Sequence, residues 1–124
     1  MDMPLALIIE DDRDLSIIFA QALQAAEFET EIAEDGQVAT TRLNETIPSV
    51  VVLDLHLPHV SGRDILDQIR TDPRLGDTRV MLATADPAMA ETLRAEADLV
   101  LIKPISFSQM RDLAKRLRPP DTFT

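Results

Sequence analysis

Five short aliphatic runs recur along the chain, separated by stretches of helical periodicity, and this alternation restricts the fold more than any single residue does. Leu5 to Ile9, Phe28 to Ala33, Val50 to Leu53, Arg79 to Ala83 and Leu99 to Ile102 read as strands. Strand–helix–strand units are right-handed, and a succession of them builds a parallel sheet with helices on both faces. The third and fifth runs are almost wholly apolar, which predicts burial on both sides. Between the runs, Leu15, Ile18, Phe19, Ala22 and Ala26 form the apolar stripe of a first helix. Val38, Ala39 and Leu43 mark a second after Asp35-Gly36, and Ile65, Leu66 and Ile69 a third that stops before Asp72-Pro73. Met89 and Leu93 mark a fourth after Asp86-Pro87. Phe107, Met110, Ala114 and Leu117 mark a fifth, ended by Pro119-Pro120. The expected fold is α/β: a doubly wound, flavodoxin-like sheet of five parallel strands, one domain over 1–118 with a short tail at 119–124. Such sheets carry their sites at the carboxyl ends of the strands.

Composition narrows the function. A chain of 124 residues with 45% hydrophobic content can bury one core. It has no Cys, so disulfides and thiolate metal sites are excluded. The first residues, MDMPLALIIEDD, lack the basic stretch of a signal peptide, and no apolar run approaches the roughly 20 residues that cross a bilayer. A soluble, cytoplasmic protein is expected. The net charge of −10 opposes direct binding to a phosphate backbone, and a chain with no Trp or Tyr and four Phe lacks stacking platforms for single strands.

The residues that follow the strands form a coherent chemical set: Glu10, Asp11 and Asp12 after the first, Asp54 after the third, Thr84 after the fourth and Lys103 after the fifth. Each has an ordinary explanation alone. Acids favour a helix N-terminus by about 0.3–1 kcal/mol, Thr84 could be a satisfied strand hydroxyl, and Lys103 a solvated cation before a proline. Together they are harder to dismiss, because two carboxylates about 4 Å apart repel by roughly 4 kcal/mol at an effective dielectric of 20. A helix dipole does not offset that; a bound Mg²⁺ or the Lys103 ammonium does, and oxygen ligands of this kind suit Mg²⁺.

The motifs IIEDD, VVLDLHLPHVSG, MLATAD and LIKP together resemble the response-regulator receiver domains of two-component signalling, over residues 4 to about 117. The resemblance implies that Asp54 accepts a phosphoryl group from a sensor histidine kinase or phosphotransfer protein. Asp11 and Asp54 would ligate Mg²⁺ directly, the backbone carbonyl of His56 would be a further ligand, and Glu10 would hold the metal through water. Thr84 and Lys103 would each bind a phosphoryl oxygen, and a cis peptide is expected before Pro104. Asp12 matches no invariant role. The chain would signal by conformational change to a protein partner, with only intrinsic acyl-phosphate chemistry and no turnover of a substrate.

Two features depart from the family pattern. Val100 stands where an aromatic usually precedes the Lys, and the stretch from Thr84 to Lys103 is about three residues shorter than in many relatives, which predicts a trimmed fourth helix. His56 and Asp86, each two residues past a site residue, are candidates to pair across the opening and tune the phosphoryl lifetime; His59 is expected on the surface. The competing readings are a phosphorylation-independent binding module and an aspartate-nucleophile phosphohydrolase. The latter expects a second Asp where this chain has His56.

Overall fold

A computed structural model describes residues 3–120. Five parallel strands, β1 (Leu5–Ile9), β2 (Glu29–Ala33), β3 (Val50–Asp54), β4 (Arg79–Thr84) and β5 (Leu99–Ile102), form one sheet in the order β2-β1-β3-β4-β5. The helices between and after them are α1 (Arg13–Ala25), α2 (Gly36–Glu45), α3 (Gly62–Thr71), α4 (Pro87–Leu93) and α5 (Phe107–Leu117). No helix among the described residues is long and apolar enough to cross a membrane.

Strand alternation divides the core in two. Ala6, Ile8, Val50, Val52, Met81, Ala83 and Leu101 pack with α1 and α5, through Phe19, Leu23, Met110 and Ala114. Leu7, Ile9, Val51, Leu53, Val80 and Leu82 face the other way, onto Ala39, Leu43, Ile65, Ile69 and Leu93 of α2, α3 and α4. The strand order reverses direction between β1 and β3, so the crevice above their carboxyl ends is the natural binding position.

Every helix starts on a short polar side chain that accepts from an otherwise unpaired backbone N–H. Asp12 caps α1, Asp35 α2, Ser61 α3, Asp86 α4 and Ser106 α5. The opposite sheet edge is held by ion pairs. Asp98 accepts from the guanidiniums of Arg70 and Arg79 and from the N–H of Val80. Burial alone would raise its carboxyl, but these partners hold it below the usual value.

Several expected helix faces are rotated in the structure. The buried stripe of α2 is Gly36, Ala39 and Leu43, while Val38 is 44% exposed. In α1, Leu23 joins Phe19, Ala22 and Ala26 in the core, whereas Ile18 points outward. Met89 and Phe107 are also exposed, and Ala90, Leu93, Met110 and Ala114 take the buried positions. β5 is an edge strand bonded only to β4, and its Ile102 is 40% exposed, so its apolar run does not signify two-sided burial. β3 is buried throughout, and β1 and β4 are buried except at their first residues.

Gly62 allows the close approach that places α3 under the end of β3. A Cβ there would lie 2.5 Å from Leu55 Cα and 2.7 Å from the Asp54 carbonyl oxygen. Both are backbone atoms beside a strand paired on both edges, so neither can move freely. Gly62→Ala is therefore expected to lower the unfolding free energy by about 1–3 kcal/mol in urea denaturation. An unchanged midpoint would mean that the loop relaxes around the methyl group.

Candidate functional site

Parallel pairing delivers the polar residues to one edge. Ile9 pairs with Leu53, so Glu10 and Asp54 leave adjacent strands side by side; Asp54 pairs with Ala83 and Thr84 with Ile102, which brings Thr84 and Lys103 alongside. Asp54 and Thr84 prove to be the last residues of their strands rather than the first beyond them, because the ladder outlasts the apolar run by one position.

Glu10 and Asp54 are 1% and 4% exposed and Thr84 is fully buried, whereas Asp11 is exposed. One oxygen from each of Glu10, Asp11 and Asp54 lies within 4.8 Å of the others. The Lys103 Nζ donates to Glu10 Oε1 at 2.8 Å and lies 3.6 Å from Asp54 Oδ2. Glu10 Oε2 accepts from the Asp12 N–H at 3.2 Å, and Asp54 Oδ1 accepts from the His56 N–H at 3.0 Å. Thr84 Oγ1 accepts from the Asp86 N–H at 3.0 Å, which leaves the hydroxyl proton to donate elsewhere. The Lys103-Pro104 peptide is cis, as the resemblance implies.

One ammonium thus serves two buried carboxylates. Burial and the neighbouring Asp54 carboxylate push Glu10 up to about 7, against the opposing pull of Lys103 and the Asp12 N–H. Burial would lower Lys103, but its contacts with Glu10 and then Asp54 raise it above the ordinary lysine value. A hard divalent cation fits this donor set, since three converging carboxylates against one ammonium leave negative charge uncompensated.

Sequence reasoning found the members of this cluster and missed some of their contacts. Asp12, left without a role, is the N-cap of α1, accepting from the Leu15 N–H at 3.0 Å. Asp86 caps α4 through the N–H groups of Ala88 and Met89, and among the described residues no bond joins it to His56. Both N–H groups bond the same oxygen, Oδ1, so the cap directs one side of the carboxylate to the helix start. The Asp-Pro preceding the helix was the available signal for that cap. His59 is exposed, with a left-handed φ of 71°.

The crowding has a pH signature. Between about 4.5 and about 7 the folded protein keeps a proton on Glu10 that the unfolded chain has released, so stability without metal falls as pH rises through this window. Asp54→Asn removes one crowded charge. In chelator-treated protein it is expected to stabilise the fold at pH 8 by roughly 1–2 kcal/mol, less than the gross repulsion of two close carboxylates, and to flatten the pH profile. Urea denaturation across pH reads both, and an undiminished slope in Asp54→Asn would trace the effect to burial alone.

The response regulator receiver domain family matches residues 6–115. The phosphate regulon transcriptional regulatory protein PhoB of Rhizobium meliloti is 28% identical, across 94% of this chain and 55% of that protein. The transcriptional regulatory protein TrcR of Mycobacterium tuberculosis is 32% identical, across 90% of this chain and 43% of that protein. The chain thus spans about half the length of these relatives. Among solved structures, the response regulator protein TrrA of Thermotoga maritima, in complex with Mg²⁺-BeF, superposes with a TM-score of 0.82 at 25% identity, covering 93% of this chain and 99% of that one. On the family match and the five-stranded architecture together, the chain belongs to the response regulator receiver domains, the phosphorelay signalling modules of two-component systems.

Proposed function

We propose that Asp54 is the phosphoacceptor and that the surrounding cluster serves the transfer. The observation that carries this reading is the convergence of Lys103 on both Glu10 and Asp54, at 2.8 and 3.6 Å, beside the exposed carboxylate of Asp11. The donor is a phosphohistidine of a sensor histidine kinase or phosphotransfer protein. An Asp54 carboxylate oxygen attacks phosphorus, the P–N bond breaks, and its electron pair stays on the donor imidazole nitrogen. The His56 N–H on Oδ1 orients the nucleophile, while Lys103 lies on the Oδ2 side. The Thr84 hydroxyl and the Lys103 ammonium donate to phosphoryl oxygens, where charge accumulates during transfer.

Mg²⁺, when bound, neutralises charge on the phosphoryl oxygens; Asp11, Asp54 and the His56 carbonyl would hold it directly, and Glu10 through water. The signalling unit is taken as 1–118; residues 1, 2 and 121–124, including most of the expected tail at 119–124, lie outside the described residues. It works in the cytoplasm, is not a turnover enzyme, and reports to a protein partner.

Incubation with acetyl phosphate and Mg²⁺, followed by intact mass measurement, is expected to show one phosphoryl adduct that Asp54→Asn and metal removal both abolish. Lys103→Ala is expected to slow its formation by roughly 10²-fold or more. No adduct, together with no binding of a beryllium fluoride mimic, would instead favour a phosphorylation-independent binding module. A second measurement addresses output. α4 has seven residues and buries only Ala90 and Leu93, while Val100 packs half-buried on that side of the sheet. Amide exchange with and without beryllium fluoride is expected to change in α4, and a change confined to the acidic pocket would contradict a conformational signal.

A further inference from the structure

We propose that Gly36, on α2 and outside the acidic pocket, is a positioning residue for the loop after β3: its missing side chain lets Val60 lie against the start of α2 and so fixes the backbone that carries His56. A Cβ on Gly36 would meet Val60 Cβ at 2.5 Å, the Val60 carbonyl oxygen at 2.8 Å and Val60 Cα at 3.1 Å. Two of these three are main-chain atoms, so rotating a side chain would not make room; the loop itself would have to shift. No glycine among the described residues has a positive φ. The backbone of Gly36 is therefore one that other residues adopt, and glycine is required there for space rather than for conformation.

The loop needs such an anchor. His59 has a φ of 71°, and the Val60 N–H donates to the Pro58 carbonyl at 2.8 Å, a tight three-residue turn with a left-handed centre that is rare and strained. Strained backbone persists only where its surroundings over-determine it. Val60 is held by Gly36 on one side and packs half-buried against the α2 and α3 side of the core on the other. The start of α2 is firm in turn, because Asp35 Oδ1 accepts from the Val38 N–H at 2.9 Å. At the loop's other end the Gly62 N–H approaches the Leu55 carbonyl at 3.4 Å, and the next residue, His56, donates its N–H to Asp54 Oδ1. The path from α2 to the acidic cluster therefore runs through Val60, the strained turn and His56.

This inference rests on the reading of Asp54 and the His56 carbonyl as cation ligands, and the test keeps the two separable. The His56 amide resonance in metal-free protein reports its bond to Asp54. Mg²⁺ titration by calorimetry reports affinity, and thermal unfolding reports the fold. Gly36→Ala is expected to shift the His56 amide resonance and weaken Mg²⁺ binding roughly 10-fold or more, the scale of a lost outer support. Val60→Gly, which adds no bulk, is expected to move both in the same sense while remaining folded, and it decides the matter if Gly36→Ala does not fold. Folded variants with an unmoved His56 amide would overturn the proposal, and so would unmoved Mg²⁺ affinity where the wild type binds the ion, reducing Gly36 to a packing residue. If the wild type binds no Mg²⁺, the cation reading fails, and the amide shift in metal-free protein alone decides the positioning role.

Discussion

The Lys103 ammonium sits against two carboxylates taken almost wholly out of water, and much of the functional edge is organised by that imbalance. Lys103 donates to Glu10 and lies farther from Asp54, which is otherwise held by the backbone N–H of His56. At the far edge of the sheet the ratio is reversed: two guanidiniums and a backbone N–H serve the single carboxylate of Asp98. The carboxyls respond in opposite directions, Asp98 downward and Glu10 upward. Paired charge at one end stabilises the fold, and under-compensated charge at the other leaves the site short of positive charge. That shortage suits a hard cation, which would also offset repulsion between these carboxylates and any incoming anion.

Holding like charges together requires a scaffold that cannot relax, and β3 provides it. All five of its residues are buried, and it pairs on both edges, with β1 and β4. Close approaches bring Gly62 onto the backbone of Asp54 and Leu55, and Gly36 onto Val60 in the loop that follows. Packed interiors transmit such constraints because they have little free volume to absorb a shift. Rigidity is thus concentrated around Asp54, while α4, short and thinly buried, borders the same site with much less to hold it.

The sheet and the cluster were legible in the sequence for one reason: parallel strands announce themselves as apolar runs, and topology then brings their polar successors to a common edge. What the sequence hid depends on angles or on distance along the chain. Val38 and Ala39 are neighbours, and a rotation of about 100° per residue decides which of them enters the core; the apolar pattern included both, and only Ala39 is buried. The run at β5 misled because hydrophobicity reports burial without reporting whether a strand has one partner or two. Asp12 was left without a role and Asp86 resembled a residue of the site opening, because caps and ligands draw on the same short acids; the hydrogen bonds from Leu15, Ala88 and Met89 show the capping use. The Lys103 bond to Glu10 joins residues 93 positions apart, and no local pattern encodes it.

Val100 bears on how a chemical event at this site becomes a signal. A phosphoryl group shifts a conformational equilibrium only by the difference in its interaction with the two states, and a full reversal from 1:99 to 99:1 needs about 5.5 kcal/mol. A large aromatic that changes burial contributes to such a difference through its own hydrophobic area; a half-buried valine contributes less. On the same side of the sheet, α4 commits only Ala90 and Leu93 to the core and is followed directly by a 3-10 turn at Arg94–Glu96. A helix so lightly held costs little to move, so a modest change at Thr84, whose hydroxyl accepts from the Asp86 N–H at the helix cap, reaches it without an aromatic relay. Asp86 therefore joins the two regions, its N–H bonded to Thr84 Oγ1 and its side chain capping α4.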